Sequence, residues 1–91
     1  MSTAFLEHEN REFRYLGYPL TLGRAERAVL LALLGADGKG LDTYALAEAS
    51  GVGVGNISSV VSAINKKAFP IGGRALILSG RSTGYRLAED L

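Results

Sequence analysis

The side chains best able to do chemistry in this 91-residue sequence are small hydroxyls and amides set beside a few cations. Asn56, Ser58, Ser59, Ser62 and Asn65 lead into the pair Lys66 and Lys67, and a second group, Arg81, Ser82 and Thr83, lies nearer the C-terminus. Serine, threonine and asparagine bond to phosphate oxygens and base edges, while lysine and arginine supply the charge that dominates affinity for a polyanion. The chemistry these types suggest is recognition of an anionic polymer rather than the making or breaking of bonds.

Residues for other chemistries are missing. The absence of cysteine excludes disulfides, thiol catalysis and cysteine-ligated zinc. His8 is the only histidine and sits in a polar N-terminal stretch, so neither a metal cluster nor a histidine-based triad can be assembled around it. Gly51, Gly53 and Gly55 alternate, but no Gly-Lys-Ser/Thr ending follows and no strand precedes them, as a phosphate loop requires. No enzyme and no cofactor is expected.

Charge is divided unevenly along the chain, although the formal total is only +1. Residues up to Glu48 carry five basic and seven acidic side chains; from there to Glu89 no acid appears, while Lys66, Lys67, Arg74, Arg81 and Arg86 do. Such asymmetry suggests an anionic partner for the back half, although a lightly charged solvated surface would give the same count. With 47% hydrophobic and 21% charged residues the chain has the composition of a folded protein, and its length suits a single domain over 1–91. The longest apolar run, Ala28 to Leu34, is far below the roughly 20 residues of a membrane span. The acidic start also lacks the plan of a signal peptide, so a cytoplasmic protein with no membrane partner is expected.

The elements that must position these residues follow from periodicity. Residues 1–22 read as short N-terminal strands, with Glu12 to Leu16 alternating, Gly17 and Tyr18 turning, and Pro19 to Leu22 returning. A first helix is expected over 24–36, with Gly23 as N-cap, Glu26 in its first turn, and Ala25, Val29, Leu30, Leu33 and Leu34 on one face. Asp42 caps a second helix over 42–50. A third, over 55–68, turns Ile57, Val60, Val61, Ile64 and Ala68 inward and Ser58, Ser59, Ser62, Asn65 and Lys66 outward. After Pro70 and the turn at Gly72 and Gly73, a β-hairpin is expected over 75–88.

Between the second and third helices, Ala47 allows close approach, Gly51 supplies a tight turn, and Val54 and Ile57 are expected to plug the angle. This is a helix-turn-helix arrangement, although two plain core helices joined by a flexible turn would share part of it. The whole order gives an α+β fold, a winged helix-turn-helix: N-terminal short strands, a three-helix core and a C-terminal hairpin wing. Tyr85 fits either a place under the wing with its hydroxyl near a phosphate or a core or edge role, and Tyr44 is similarly divided.

The run Ile77 to Leu87, with Arg81, a glycine-bearing tip and Gly84-Tyr85, resembles the wing of the OmpR/PhoB-type winged-helix DNA-binding domains. Leu16-Gly17-Tyr18-Pro19-Leu20 resembles their strand-turn-strand entry, Glu26 with Val29 and Leu30 the start of their first helix, and Asp42 before Leu46 that of their second. Members act mainly as output domains of bacterial two-component response regulators, placing the third helix in the major groove and the wing arginine at the adjacent minor groove. The resemblance implies a transcriptional regulator in a phosphorelay, with double-stranded DNA as partner and an upstream receiver domain or the transcription machinery as a further one; with so few candidate cations, a homodimer or an attached domain is expected to be needed for specific occupancy. Asn56, Ser58, Ser59, Ser62, Asn65, Lys66, Lys67, Arg81, Ser82 and Thr83 are the DNA-binding residues it implies. The sequence departs from the family at Ser62, Ala63 and Asn65, where arginines are usual, and in having room for about three opening strands rather than four. The alternative reading is a degenerate winged helix used for protein–protein interaction or dimerisation without strong DNA binding.

Overall fold

A computed structural model describes residues 6–10, 12–36, 39–80 and 84–88. The chain opens with strands β1 (Leu6–Glu9), β2 (Glu12–Tyr15) and β3 (Tyr18–Leu20), paired antiparallel in the order β1-β2-β3. Alternation sends Leu6, Phe13, Tyr15 and Leu20 to the inner face, where all are buried, while Glu7, Glu12 and Arg14 face out. His8 stands opposite Phe13 with ring centroids 4.4 Å apart. The turn between β2 and β3 falls on Leu16 and Gly17, one residue earlier than the sequence suggested. Tyr15 pairs with Tyr18, and Leu16 and Gly17 have φ of 53° and 83°. A two-residue hairpin loop with both central residues left-handed matches strand twist, and glycine takes one such position without strain.

Helix α1 (Arg24–Gly35) starts from Gly23, whose N–H donates to Glu26 Oε1 at 2.7 Å, and buries Val29, Leu30 and Leu33. Ala25, expected on the inward face, is exposed: the buried stripe begins only at Val29, and in the first turn it is Glu26 that turns toward α3. Helix α2 (Thr43–Ser50) is capped by Asp42, which accepts from the Ala45 N–H at 2.7 Å, and ends on left-handed Gly51. Ala47 is buried, as a close crossing of helices requires.

The turn into the third helix contains a 3₁₀ turn, Val54–Asn56. It rolls Val54 outward to 44% exposure, so Val54 does not plug the interhelical angle; half-buried Val52 packs on the core instead. Helix α3 spans Ile57–Gly72, beginning later and ending later than the expected 55–68. It runs through Pro70, which sits in the last turn and leaves the Lys66 carbonyl without its helical N–H donor. Left-handed Gly73 closes the helix by donating to the Phe69 carbonyl at 2.7 Å. Ile57, Val61, Ile64 and Ala68 are buried, and Val60 is half-buried. At Gly72 the helix meets the N-terminal sheet, because the Tyr15 ring lies where a side chain at that position would stand.

Strands β4 (Ile77–Gly80) and β5 (Gly84–Leu87) form an antiparallel hairpin, with Ile77 opposite Leu87 and Gly80 opposite Gly84. Leu41, between α1 and α2, extends this pair: its N–H donates to the Tyr85 carbonyl at 2.9 Å and its carbonyl accepts from the Tyr85 N–H at 2.8 Å. Among the described residues no charged side chain is buried in the core between the two sheets and three helices. None of the described helices is long and apolar enough to cross a membrane.

Candidate nucleic-acid interface

Once Ile57, Val61, Ile64 and Ala68 are buried, helical geometry turns Ser58, Ser59, Ser62 and Lys66 to the opposite side of α3, and all four are exposed. Asn56 is exposed in the 3₁₀ turn just before the helix. Between α3 and the wing lies an open groove lined by Ser58, Ser62, Lys66, Phe69, Ser79 and Tyr85, with no acidic side chain on its walls. Arg81, Ser82 and Thr83, the expected wing contacts, lie outside the described residues.

Two of the expected residues have other partners. Asn65 turns to the wing: its Oδ1 accepts from the Leu76 and Ile77 N–H groups at 3.0 and 2.8 Å, and its Nδ2 donates to the Ile77 carbonyl at 3.1 Å. A carboxamide offers four hydrogen-bonding positions, so a single donor is left. Asn65 is thus the joint that fixes the wing strand to α3. Lys67 lies on the flank of α3 that faces α1, where its Nζ meets Glu26 Oε1 at 2.7 Å. Burial pushes the Glu26 carboxyl up, but the bond from Lys67, the Gly23 N–H and the lysine charge outweigh it and hold the carboxyl below its ordinary value.

One residue of this surface is not among those the sequence pointed to. Phe69 is 59% exposed and extends the outward row, seven positions beyond Ser62. Pro70 masked it: a helix judged to stop at Ala68 leaves Phe69 in a loop, whereas continuing the helical period one more turn would have found it. Tyr85 is half-buried against the core and edges the groove, and Tyr44 is 74% exposed on α2. No group of three His, Asp or Glu residues that could hold a metal ion occurs among the described residues.

Comparison with solved structures decides the architecture. The DNA-binding domain of the response regulator AdeR, crystallised in complex with an intercistronic region, superposes with a TM-score of 0.83 over 99% of this chain and 100% of that one, at 18% identity. The fold is a winged helix. A second match comes from a novel family of redox sensors in the streptococci that evolved from two-component response regulators, with a TM-score of 0.82, 19% identity and 98% of this chain covered. This chain spans 42% of that longer one. At these identities the likeness is one of fold. No family model and no curated protein matches the sequence. Within the winged helix, α2 and α3 form the helix-turn-helix and β4 and β5 form the wing.

Proposed function

We propose that this winged helix binds duplex DNA as the output domain of a cytoplasmic transcriptional regulator, with α3 in the major groove and the wing at the adjacent minor groove. The observation that carries this reading is the exposed, acid-free row Ser58, Ser62 and Lys66 on a helix whose other face is buried. Hydroxyls bond to phosphates or base edges, and the ammonium group adds phosphate affinity. Asn56 and Ser59 flank the row, and Arg81 with Ser82 and Thr83 would extend it into the minor groove. The AdeR domain's complex with an intercistronic region supports the choice of partner.

With Lys67 paired to Glu26, Lys66 is the one cation of α3 directed at this surface. So few phosphate contacts give a shallow salt dependence and weak monomer affinity. A homodimer, or attachment to a receiver domain as in response regulators, would raise occupancy. A second reading, a winged helix serving a protein partner or self-association, draws on exposed Phe69.

Titration of the chain with labelled duplex DNA at two salt concentrations, beside Lys66→Ala and Arg81→Ala, tests the proposal. Both variants should bind more weakly and lose less affinity on addition of salt. Unchanged binding in both would remove this surface from consideration, and absence of binding at low salt together with a clean dimer would favour the second reading.

A further inference from the structure

Phe69 is the largest apolar side chain on a face that is otherwise polar, and the core makes little use of it, since it stays 59% exposed. It stands three residues beyond Lys66 and shares the groove wall with Ser62 and Ser79. The rest of α3 restricts what that face can read. The helix carries no arginine or glutamine, and its only asparagine, Asn65, is taken up by the Leu76 and Ile77 backbone. Two-point bonding to adenine, which asparagine and glutamine provide, is therefore absent from the helix itself. What remains is single hydroxyls, one ammonium and one phenyl ring.

A phenyl ring gains from a partner chiefly by covering apolar surface, and in the major groove the apolar group of a base pair is the 5-methyl of thymine. Resting on the duplex-DNA reading above, we propose that Phe69 is a specificity-determining residue that packs on a thymine methyl. The site then selects A·T pairs at the position facing the C-terminal half of α3. Lys66, one turn away, lies within reach of a neighbouring phosphate or guanine.

The test begins by recovering bound duplexes from a random-sequence pool with the 91-residue chain at low salt. Each thymine of the best duplex is then replaced singly by deoxyuridine, which removes only the methyl. At one position the replacement should weaken binding about fourfold, the effect of losing one buried methyl-sized group. Phe69→Ala should bind the thymine and deoxyuridine duplexes equally, and Phe69→Leu should keep part of the preference. Indifference of the unmodified protein to every deoxyuridine, or an undiminished penalty in Phe69→Ala, overturns this assignment while leaving DNA binding intact. Failure to retain any duplex overturns the DNA reading and this one together. The deoxyuridine comparison needs no variant, so a folding defect in Phe69→Ala cannot conceal the result.

Discussion

Gly84 abuts the backbone of Leu41 so closely that a β-carbon placed on it would lie 2.6 Å from the Leu41 carbonyl carbon and 2.8 Å from the Asp42 nitrogen. Gly84 also has a φ of 69°, so both space and backbone conformation demand glycine. Gly84→Ala should cost about 2–3 kcal/mol, from left-handed strain and displacement of the Leu41 backbone. Urea unfolding measures this, and a loss below about 0.5 kcal/mol, the range of a neutral surface substitution, would contradict the close approach.

Asn65 satisfies two amides at the entry to β4, where Leu76 and Ile77 are buried. Asn65→Ala strands both donors, and the expected destabilisation is about 2–3 kcal/mol. Asn65→Asp keeps the acceptor for both amides but sets a carboxylate against the Ile77 carbonyl, so it should recover part of the loss. Chemical denaturation of the three proteins side by side gives the ranking; an alanine variant as stable as the aspartate would show that the clamp does not form.

Glu26 links the start of α1 to α3 through Lys67. Because its folded carboxyl titrates below the ordinary value of 4.5, its stabilisation is full well above that pH. The contribution is lost as the pH falls through the lowered folded value. Glu26→Gln should therefore cost about 1 kcal/mol at neutral pH and progressively less in acid. Thermal unfolding of both proteins from pH 7 to pH 3 follows the gap; a constant difference would contradict the charge pairing.

Lys66 and Lys67 are neighbours in sequence with different surroundings. Lys66→Ala should lower the slope of log affinity against log salt by about 0.9, the value for one phosphate contact. Lys67→Ala should leave that slope unchanged and reduce stability instead, because its ammonium serves Glu26. Equal slope changes in the two variants would show that DNA draws Lys67 away from Glu26.

The order of elements was legible because each carries its own local signal: alternation at Glu12 to Leu16, a cap at Asp42, glycine at Gly51 and Gly73. The winged-helix fold follows from that order. What local pattern could not supply is competition for a side chain by distant backbone. Asn65 and Lys67 look like any polar residues on an exposed helix until β4 and Glu26 are placed beside them. Val54 and Val52 are interchangeable in an alternating glycine-valine run, and only the 3₁₀ turn decides which goes inward. Phe69 was hidden because Pro70 is a sound signal for ending a helix, yet α3 continues through it to the left-handed cap at Gly73.

The meeting of Tyr15 with Gly72 bears on how the chain is made. Tyr15 is fully buried, and part of what covers it is a helix end that is synthesised much later. At roughly 5–20 residues per second the wait on a translating ribosome is on the order of seconds. During that interval the N-terminal strands lack this part of their cover, and contacts between distant parts of the chain close slowly. Among the elements of this domain, the N-terminal strands are therefore among the last to be sealed.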